Sequence, residues 1–356
     1  LESQDELSGV KKTLYSIDGG TEHLYRGPID LKRLKLGEHT LMYFSIDNVD
    51  NNNAGNTTIN KDGTYDFNYD NSPPVAELSF EGDHYKGKYD YVSERTKVKL
   101  DATDKESGVL KIMYGLNTSK LENDYKSPFE FEKKSGLQSV YYAARDQVAN
   151  VSNTKKQLVY LDKKAPVTGI TFGKPQFFNR DSLFITKNTK ITLFSRDTQS
   201  GVKKTEYAID DGNYQKYTDK FTINKDDAHL IRFRTIDNVN NQEQQKESLV
   251  VLDNKAPEIY INFSIKPIRE EKKDGKTMNV YPTYTKLYLG ATDKYAGTET
   301  IYYQIDDGPM RKYVSAENIA NANLLTKEKT YKVRVVAKDK LGNESEKSVE
   351  FVVSEK

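Results

Sequence analysis

The chain has no cysteine, no tryptophan and four histidines in 356 residues, and its charge is nearly even, with 54 Lys plus Arg against 53 Asp plus Glu. Each shortage removes a class of chemistry. Without cysteine there are no disulfides and no thiolate metal sites, although the redox compartment stays open because small β domains with adequate cores can do without staples. His23, His39, His84 and His229 do not stand at the spacing of a zinc protease, and no glycine-rich phosphate loop is present. The charge balance gives no basic excess, so nucleic acid is not expected as a partner. No apolar run approaches the ~20 residues of a spanning helix, so no direct membrane span is expected within these residues.

What the sequence does contain is one unit written four times. Asp-x-x-Ser-Gly occurs at Asp5–Gly9, Asp104–Gly108 and Asp197–Gly201, and with Ala296 for the serine at Asp293–Gly297. A tyrosine follows each glycine by six residues: Tyr15, Tyr114, Tyr207 and Tyr303. Then come the Asp-x-x-x-Asn pairs Asp47/Asn51, Asp146/Asn150, Asp237/Asn241 and Asp339/Asn343. The first three units close with an Asp four residues before a proline, at Asp70/Pro74, Asp162/Pro166 and Asp253/Pro257, and these prolines are 92 and 91 residues apart.

The intervening segments read as strands. The sets Leu41/Tyr43/Ser45, Val140/Tyr142/Ala144, Ile231/Phe233/Thr235 and Val333/Val335/Ala337 alternate with period two before each Asp-x-x-x-Asn, which marks one buried strand face. The pairs Gly19-Gly20, Asp211-Gly212 and Asp307-Gly308 predict tight hairpins with positive φ at both central residues. In the third unit, strands are expected near 168–172, 184–187, 190–196, 202–209, 213–218, 220–224, 228–236 and 246–252. Seven or so short strands in ~90–100 residues predict an all-β fold of tandem Ig-like or fibronectin-III-like antiparallel β-sandwiches, arranged as an elongated array. A membrane barrel would need lipid-facing apolar stripes, whereas the alternate face carries Arg232, Arg234, Lys332 and Arg334. The expected boundaries are 1–73, 74–165, 166–256 and 257–356, with an insertion near 315–329. Asp104, Asp197 and Asp293 stand 30, 31 and 36 residues after their linker prolines, but only four residues precede Asp5. The first unit is therefore expected to lack its first two strands, and the chain to be part of a longer array.

The motif string Ser8-Gly9-Val10, Ser16-Ile17-Asp18-Gly19-Gly20 and Gly37-Glu38-His39-Thr40-Leu41 resembles the bacterial Ig-like repeat named after a leptospiral outer-membrane protein, a module often labelled a β-barrel domain and read here as a sandwich. The resemblance runs through essentially the whole chain. It implies a spacer and adhesion-type binding array of an exported bacterial protein, at the cell surface and associated with the outer membrane, facing a protein or glycan ligand. Similar repeats sit beside glycosidases, so the alternative is an accessory, non-catalytic module of a secreted glycan-degrading enzyme. The resemblance implies no catalytic residue and no required cofactor.

On an Ig-like topology the recurring acids should converge where each linker enters the next unit. The expected clusters are Asp70/Asp104/Asp146/Asn150, Asp162/Asp197/Asp237/Asn241 and Asp253/Asp293/Asp339/Asn343. Several carboxylates and an amide oxygen around one point suit calcium, a hard ion that takes six to eight oxygens. The same acids also have a structural use, since each can organise a tight loop by accepting backbone N–H bonds. Asp66, Asn68, Asp70 and Glu77 mimic an EF-hand, but Asn71 stands where glycine is required. Among 25 tyrosines, Tyr85 and Tyr89 lie in a basic stretch that recurs in no other unit and are the candidate partner-binding residues, or else two half-packed rings of an ordinary loop. Tyr91, in the place of Phe184, is read as structural. Catalysis would need a perturbed acid and base in one pocket, whereas acids repeated in every unit argue for structure, so the chain is read as non-enzymatic.

Overall fold

The structure, a computed structural model, describes residues 1–54, 63–131, 134–273, 275–315, 319 and 324–355. Two compact units form, Leu1–Lys164 with Asn238–Asn240, and Ala165–Asp237 with Asn241–Lys356.

In the first unit, residues after Pro74 make two facing sheets. The large sheet runs Asn123–Asp124, Val109–Leu116, Gly136–Asp146, Lys155–Leu161, Asp90–Val92 and His84–Lys86 in lateral order. The small sheet runs Phe129–Glu130, Lys97–Thr103 and Val75–Glu81. Alternation decides what lies between them: Ala76, Val98 and Leu100 meet Val92, Val140, Tyr142, Val159 and Leu161, all buried. The second unit repeats this plan twice. A pair of strands, Val167–Phe172 with Ile191–Arg196, faces a six-stranded sheet around Ile231, Phe233, Val250 and Leu252. The pair Glu258–Phe263 with Leu287–Thr292 faces another around Tyr331, Val333, Val335 and Phe351. Every sheet is open, so these are sandwiches and not a closed barrel. No helix among the described residues is long and apolar enough to cross a membrane.

Three departures from the sequence reading are informative. The sandwiches are not wholly antiparallel, because Asp90–Val92, Ser182–Ile185 and Lys276–Tyr281 each run parallel to the last strand of their repeat. A strand at Gln176–Asn179 precedes Ser182–Ile185, while the expected strand at 220–224 is only the bridge Ile191↔Phe221. Phe221 and Ile223 alternate because both point into the core, with Phe221 stacked on Tyr207 at 4.0 Å, and burial of an irregular loop imitates a strand pattern. The hairpin turn also lies one residue earlier than read. Its first central residue is the aspartate of Ile-Asp, at φ 52°, 51° and 49° for Asp18, Asp210 and Asp306, and only Gly19 joins it at positive φ among the second central residues. Aspartate tolerates this left-handed region, and each carboxylate accepts an N–H from the returning strand, from Thr40, Leu230 and Lys332.

Of the insertion at 315–329, positions 316–318 and 320–323 lie outside the described residues, and Ile319 and Leu325 are buried in the last core. The first repeat has a single sheet, ordered His23–Leu24, Val10–Ile17, Gly37–Asp47 and Thr64–Tyr69. Among the described residues no buried hydrophobic side chain precedes Ala76.

Candidate functional site

One register places the acids. The residue after each Asp-x-x-Ser/Ala-Gly pairs with the first residue of Asp-x-x-x-Asn: Val10↔Asp47, Val109↔Asp146, Val202↔Asp237 and Thr298↔Asp339. A register irregularity stands beside each of these pairs, as at a β-bulge, where the local bend of a strand end re-aims its side chains.

Each aspartate also holds its own loop. Asp146 Oδ1 accepts the N–H of Val148 (3.0 Å) and Asn150 (2.7 Å), and its Oδ2 accepts Asn150 Nδ2 (2.7 Å). Asp339 does the same with Leu341 and Asn343. Asp104 Oδ1 accepts Ser107 and Gly108 N–H, and Asp293 Oδ1 accepts Tyr295 and Gly297 N–H.

The linker acids then reach across. Asp70 Oδ2 takes the Ser107 hydroxyl at 2.5 Å, and Asp253 Oδ2 takes the Ala296 N–H at 3.0 Å. Asn150 and Asn343 present amide N–H groups to the linker carbonyls Asp70 O and Asp253 O. Within the first unit Asp70, Asp104 and Asp146 bring carboxylate oxygens within 4.8 Å of one another, and within the second Asp253, Asp293 and Asp339 do so. The third expected set is divided between the units. Asp162, fully buried, accepts Lys164 N–H in the first. In the second, Asp197 accepts Gly201 N–H and Asp237 accepts both Asn241 N–H and Nδ2.

The two intact clusters differ in their hydroxyl donors. At Asp70 burial works against ionisation, but hydrogen bonds from Ser107 and Ser72 outweigh it and hold the carboxyl below its ordinary value. At Asp253 burial pushes the carboxyl up, the negative charges of Asp293 and Asp339 add to it, and the N–H groups of Ala296 and Lys255 do not compensate. Ala296 stands where the earlier repeats carry serine, and Lys255 where the first linker carries Ser72, so Asp253 lacks both hydroxyl donors that Asp70 has.

The EF-hand spacing dissolves into a strand. Asp66 and Asn68 lie on Thr64–Tyr69, bonded to Thr40 Oγ1 and Glu106 O, and Glu77 lies on the strand Val75–Glu81.

Tyr85 and Tyr89 belong to a four-ring cluster that the sequence showed only in part. Val92 and Val159 point into the core, so their neighbours Tyr91 and Tyr160 point outward. Ring centroids lie at 6.2 Å for Tyr85–Tyr91, 5.5 Å for Tyr91–Tyr160 and 6.3 Å for Tyr89–Tyr160. A Cβ on Gly87 would come within 3.1–3.2 Å of the Tyr91 and Tyr85 rings, so any side chain there would press on both. Lys88 Nζ lies 5.3 Å from the Tyr89 centroid. Outward Tyr91 and Tyr160 were findable from the alternation Asp90/Tyr91/Val92 and Val159/Tyr160/Leu161.

Histidine enters as a strand brace. His39 bonds Asp18 at 2.6 Å and the Lys35 carbonyl at 2.7 Å, and His229 bonds Asp210 at 2.8 Å and the Lys225 carbonyl at 2.7 Å. The second repeat makes the brace from Asn117 and Gln138, whose Nε2 donates to the Lys134 carbonyl.

No family model matches the chain, and no curated protein sequence matches it. Among solved structures it is similar to the fibronectin(III)-like modules of Clostridium thermocellum CbhA, with 11% identity, 49% of this chain and 94% of that chain covered, and a TM-score of 0.29. It is similar to a 1.5-MDa bacterial ice-binding adhesin, with 10% identity, 80% and 99% covered, and a TM-score of 0.32. The D00-D0 domain of intimin matches with 14% identity, 50% and 100% covered, and a TM-score of 0.22.

Proposed function

We propose that this chain is a non-catalytic array of Ig-like repeats from an exported bacterial protein of the leptospiral type, in which calcium at the linker carboxylate cluster within each unit fixes one repeat on the next while outer sheet faces meet a protein or glycan ligand at the cell surface. One observation carries the reading. The same three-aspartate arrangement recurs within both units, at Asp70/Asp104/Asp146 and Asp253/Asp293/Asp339, with only N–H and hydroxyl donors bonded to it. Three carboxylates held this close repel one another unless a proton or a cation joins them. An all-oxygen donor set fits calcium in kind, and soft or nitrogen-preferring metals find nothing to bind. The aspartates are the ligands in this reading, and Asn150 and Asn343 act through Asp146 and Asp339, toward which they turn N–H groups. The Tyr85/Tyr89/Tyr91/Tyr160 cluster is the surface best suited to a partner, since rings packed side by side offer apolar area at little entropic cost.

Titration calorimetry of the chelator-stripped chain tests the metal reading. Calcium should bind saturably, magnesium more weakly because it resists dehydration, and the double variant Asp104→Asn/Asp293→Asn should lose the heat. Calcium heat that is absent, or that persists unchanged in that variant, overturns it.

A further inference from the structure

Four neighbouring strands of the second repeat line up one apolar row on the outer face of their sheet. Tyr85 pairs with Tyr91, Tyr91 with Tyr160, and Tyr160 with Leu137. Tyr85 is 40% exposed and Leu137 51%, and Leu158, two residues before Tyr160 on the same face, is 37% exposed. From Tyr85 through Tyr91 and Tyr160 to Tyr89, successive centroids are 6.2, 5.5 and 6.3 Å apart with tilts of 39°, 40° and 22°. This offset arrangement spreads the rings along the sheet instead of piling them into one stack. The sandwich itself does not require them. The same row reads Phe177, Phe184, Val251 and Ala228 in the third repeat. In the fourth it reads Arg269, Val280, Val352 and Thr330.

The polar groups of this face are left open. Among the described residues, the phenol hydroxyls of Tyr85, Tyr89, Tyr91 and Tyr160 bond to no other residue. Lys88 Nζ lies 5.3 Å from the Tyr89 centroid and Lys156 Nζ 5.2 Å from the Tyr141 centroid, and neither ammonium meets a carboxylate there. His84 and Lys86 instead bond the buried Asp90, on the inner side of the strand. The outward positions of residues 85–91 and 156–160, and of their partners 137–141, carry no acid.

Ring faces, open phenol hydroxyls and unpaired ammonium groups together match a ligand that is flat, rich in hydroxyls and anionic. A pyranose ring has an apolar C–H face for the tyrosines and hydroxyls at its rim, and a uronate or sulfate supplies the charge. A peptide of the same charge answers the lysines but has no flat, hydroxyl-rimmed face for the row. We propose that the outer face of the second repeat binds an acidic glycan, laid along the Tyr85–Tyr91–Tyr160–Leu137 row with its anionic groups toward Lys88 and Lys156. This rests on the reading of the ring cluster as the partner surface and fixes the chemistry of the partner.

The test measures equilibrium binding of the full chain to immobilised heparin, polygalacturonate, dextran and polyglutamate. Every arm is run in chelator, because calcium would itself bridge a uronate to the aspartate clusters. At least one of the two acidic polysaccharides should bind ~tenfold or more tighter than dextran and polyglutamate. Tyr91→Ala/Tyr160→Ala should weaken that binding at least ~tenfold, with urea unfolding as the check on folding. Tyr85→Ala, at an exposed position on the sheet edge, gives a smaller loss in the same direction and keeps the test open if the double variant does not fold. Lys88→Gln/Lys156→Gln should remove most of the salt dependence. Binding to neither acidic polysaccharide, binding indifferent to the ring variants, or dextran bound as tightly overturns the proposal. Polyglutamate bound as tightly through the same rings makes the partner an acidic protein and overturns the glycan alone. Calcium heat that persists while glycan binding is absent separates this failure from failure of the array reading.

Discussion

At the scale of single residues, the serine of Asp-x-x-Ser-Gly and its one replacement by alanine account for part of the difference between equivalent linker aspartates, beside the Ser72 hydroxyl at Asp70 and the deeper burial of Asp253. Ser107→Ala removes a charge-assisted bond to Asp70 and should lower the stability of the first unit by about 1–2 kcal/mol, while Ala296→Ser gives Asp253 the missing donor and should raise that of the second by about 1 kcal/mol, both read in urea unfolding. Opposite signs are the expectation, and equal effects would remove the explanation. The histidine braces set a pH dependence. His39 is raised above its ordinary 6.5 by the Lys35 carbonyl and the Asp18 hydrogen bond. For His229 burial opposes the charge, but Asp210 and the Lys225 carbonyl outweigh it, and the pKa is again raised. A raised folded pKa means stability fully present below the unfolded value of 6.5 and lost as pH rises through the folded value. Asp18 and Asp210 are depressed, so their share is present above the ordinary 3.8 and lost as pH falls. Imidazole NMR titration should show both histidines titrating above 6.5 and shifting downward in Asp18→Asn and Asp210→Asn, with the carbonyl bonds to Lys35 and Lys225 retaining part of the effect.

At the scale of elements, the tightest local device is the loop from Asp to Asn. In all four repeats the Asp N–H donates to the Asn carbonyl while the Asp carboxylate receives the Asn N–H, which is satisfied from both sides. Asp146→Ala leaves the part-buried Val148 and Asn150 N–H groups without their carboxylate acceptor and should cost about 1–3 kcal/mol in denaturant unfolding of the first unit, water taking up part of the loss at exposed Val148. A loss below about 1 kcal/mol would show that the loop is held by its backbone alone. These loops were legible because their residues recur at fixed spacing. The strand faces were legible too in three repeats, since Val140/Tyr142/Ala144, Ile231/Phe233/Thr235 and Val333/Val335/Ala337 are buried, whereas Leu41/Tyr43/Ser45 of the first repeat are not. The parallel pairing of Asp90–Val92 was not legible, because three residues carry no period and parallel partners are remote in sequence. Nor was the strand at Gln176–Asn179, where Phe177 and Phe178 point to opposite faces.

At the scale of the whole molecule, repetition made the two-sheet architecture readable, and it also located the acids, since a feature present in every copy belongs to what every copy shares. What repetition could not show is which atoms face one another: the amide orientation of Asn150, the meeting of the Tyr91 and Tyr160 rings, and the loss of a donor at Ala296 all depend on packing. The outer rings of the second repeat and the brace that replaces histidine there show where the copies diverge on a common frame. The central claim is that the aspartate clusters are cation-bridged junctions and not merely loop braces. Thermal unfolding in excess calcium and then in chelator tests it most directly. At a hundredfold excess over Kd, calcium should stabilise each site by about 2.7 kcal/mol, and the gain should disappear in Asp104→Asn/Asp293→Asn. A melting temperature that ignores both calcium and chelator would contradict the claim and leave Asp70, Asp104, Asp146 and their counterparts as the organisers of their own turns.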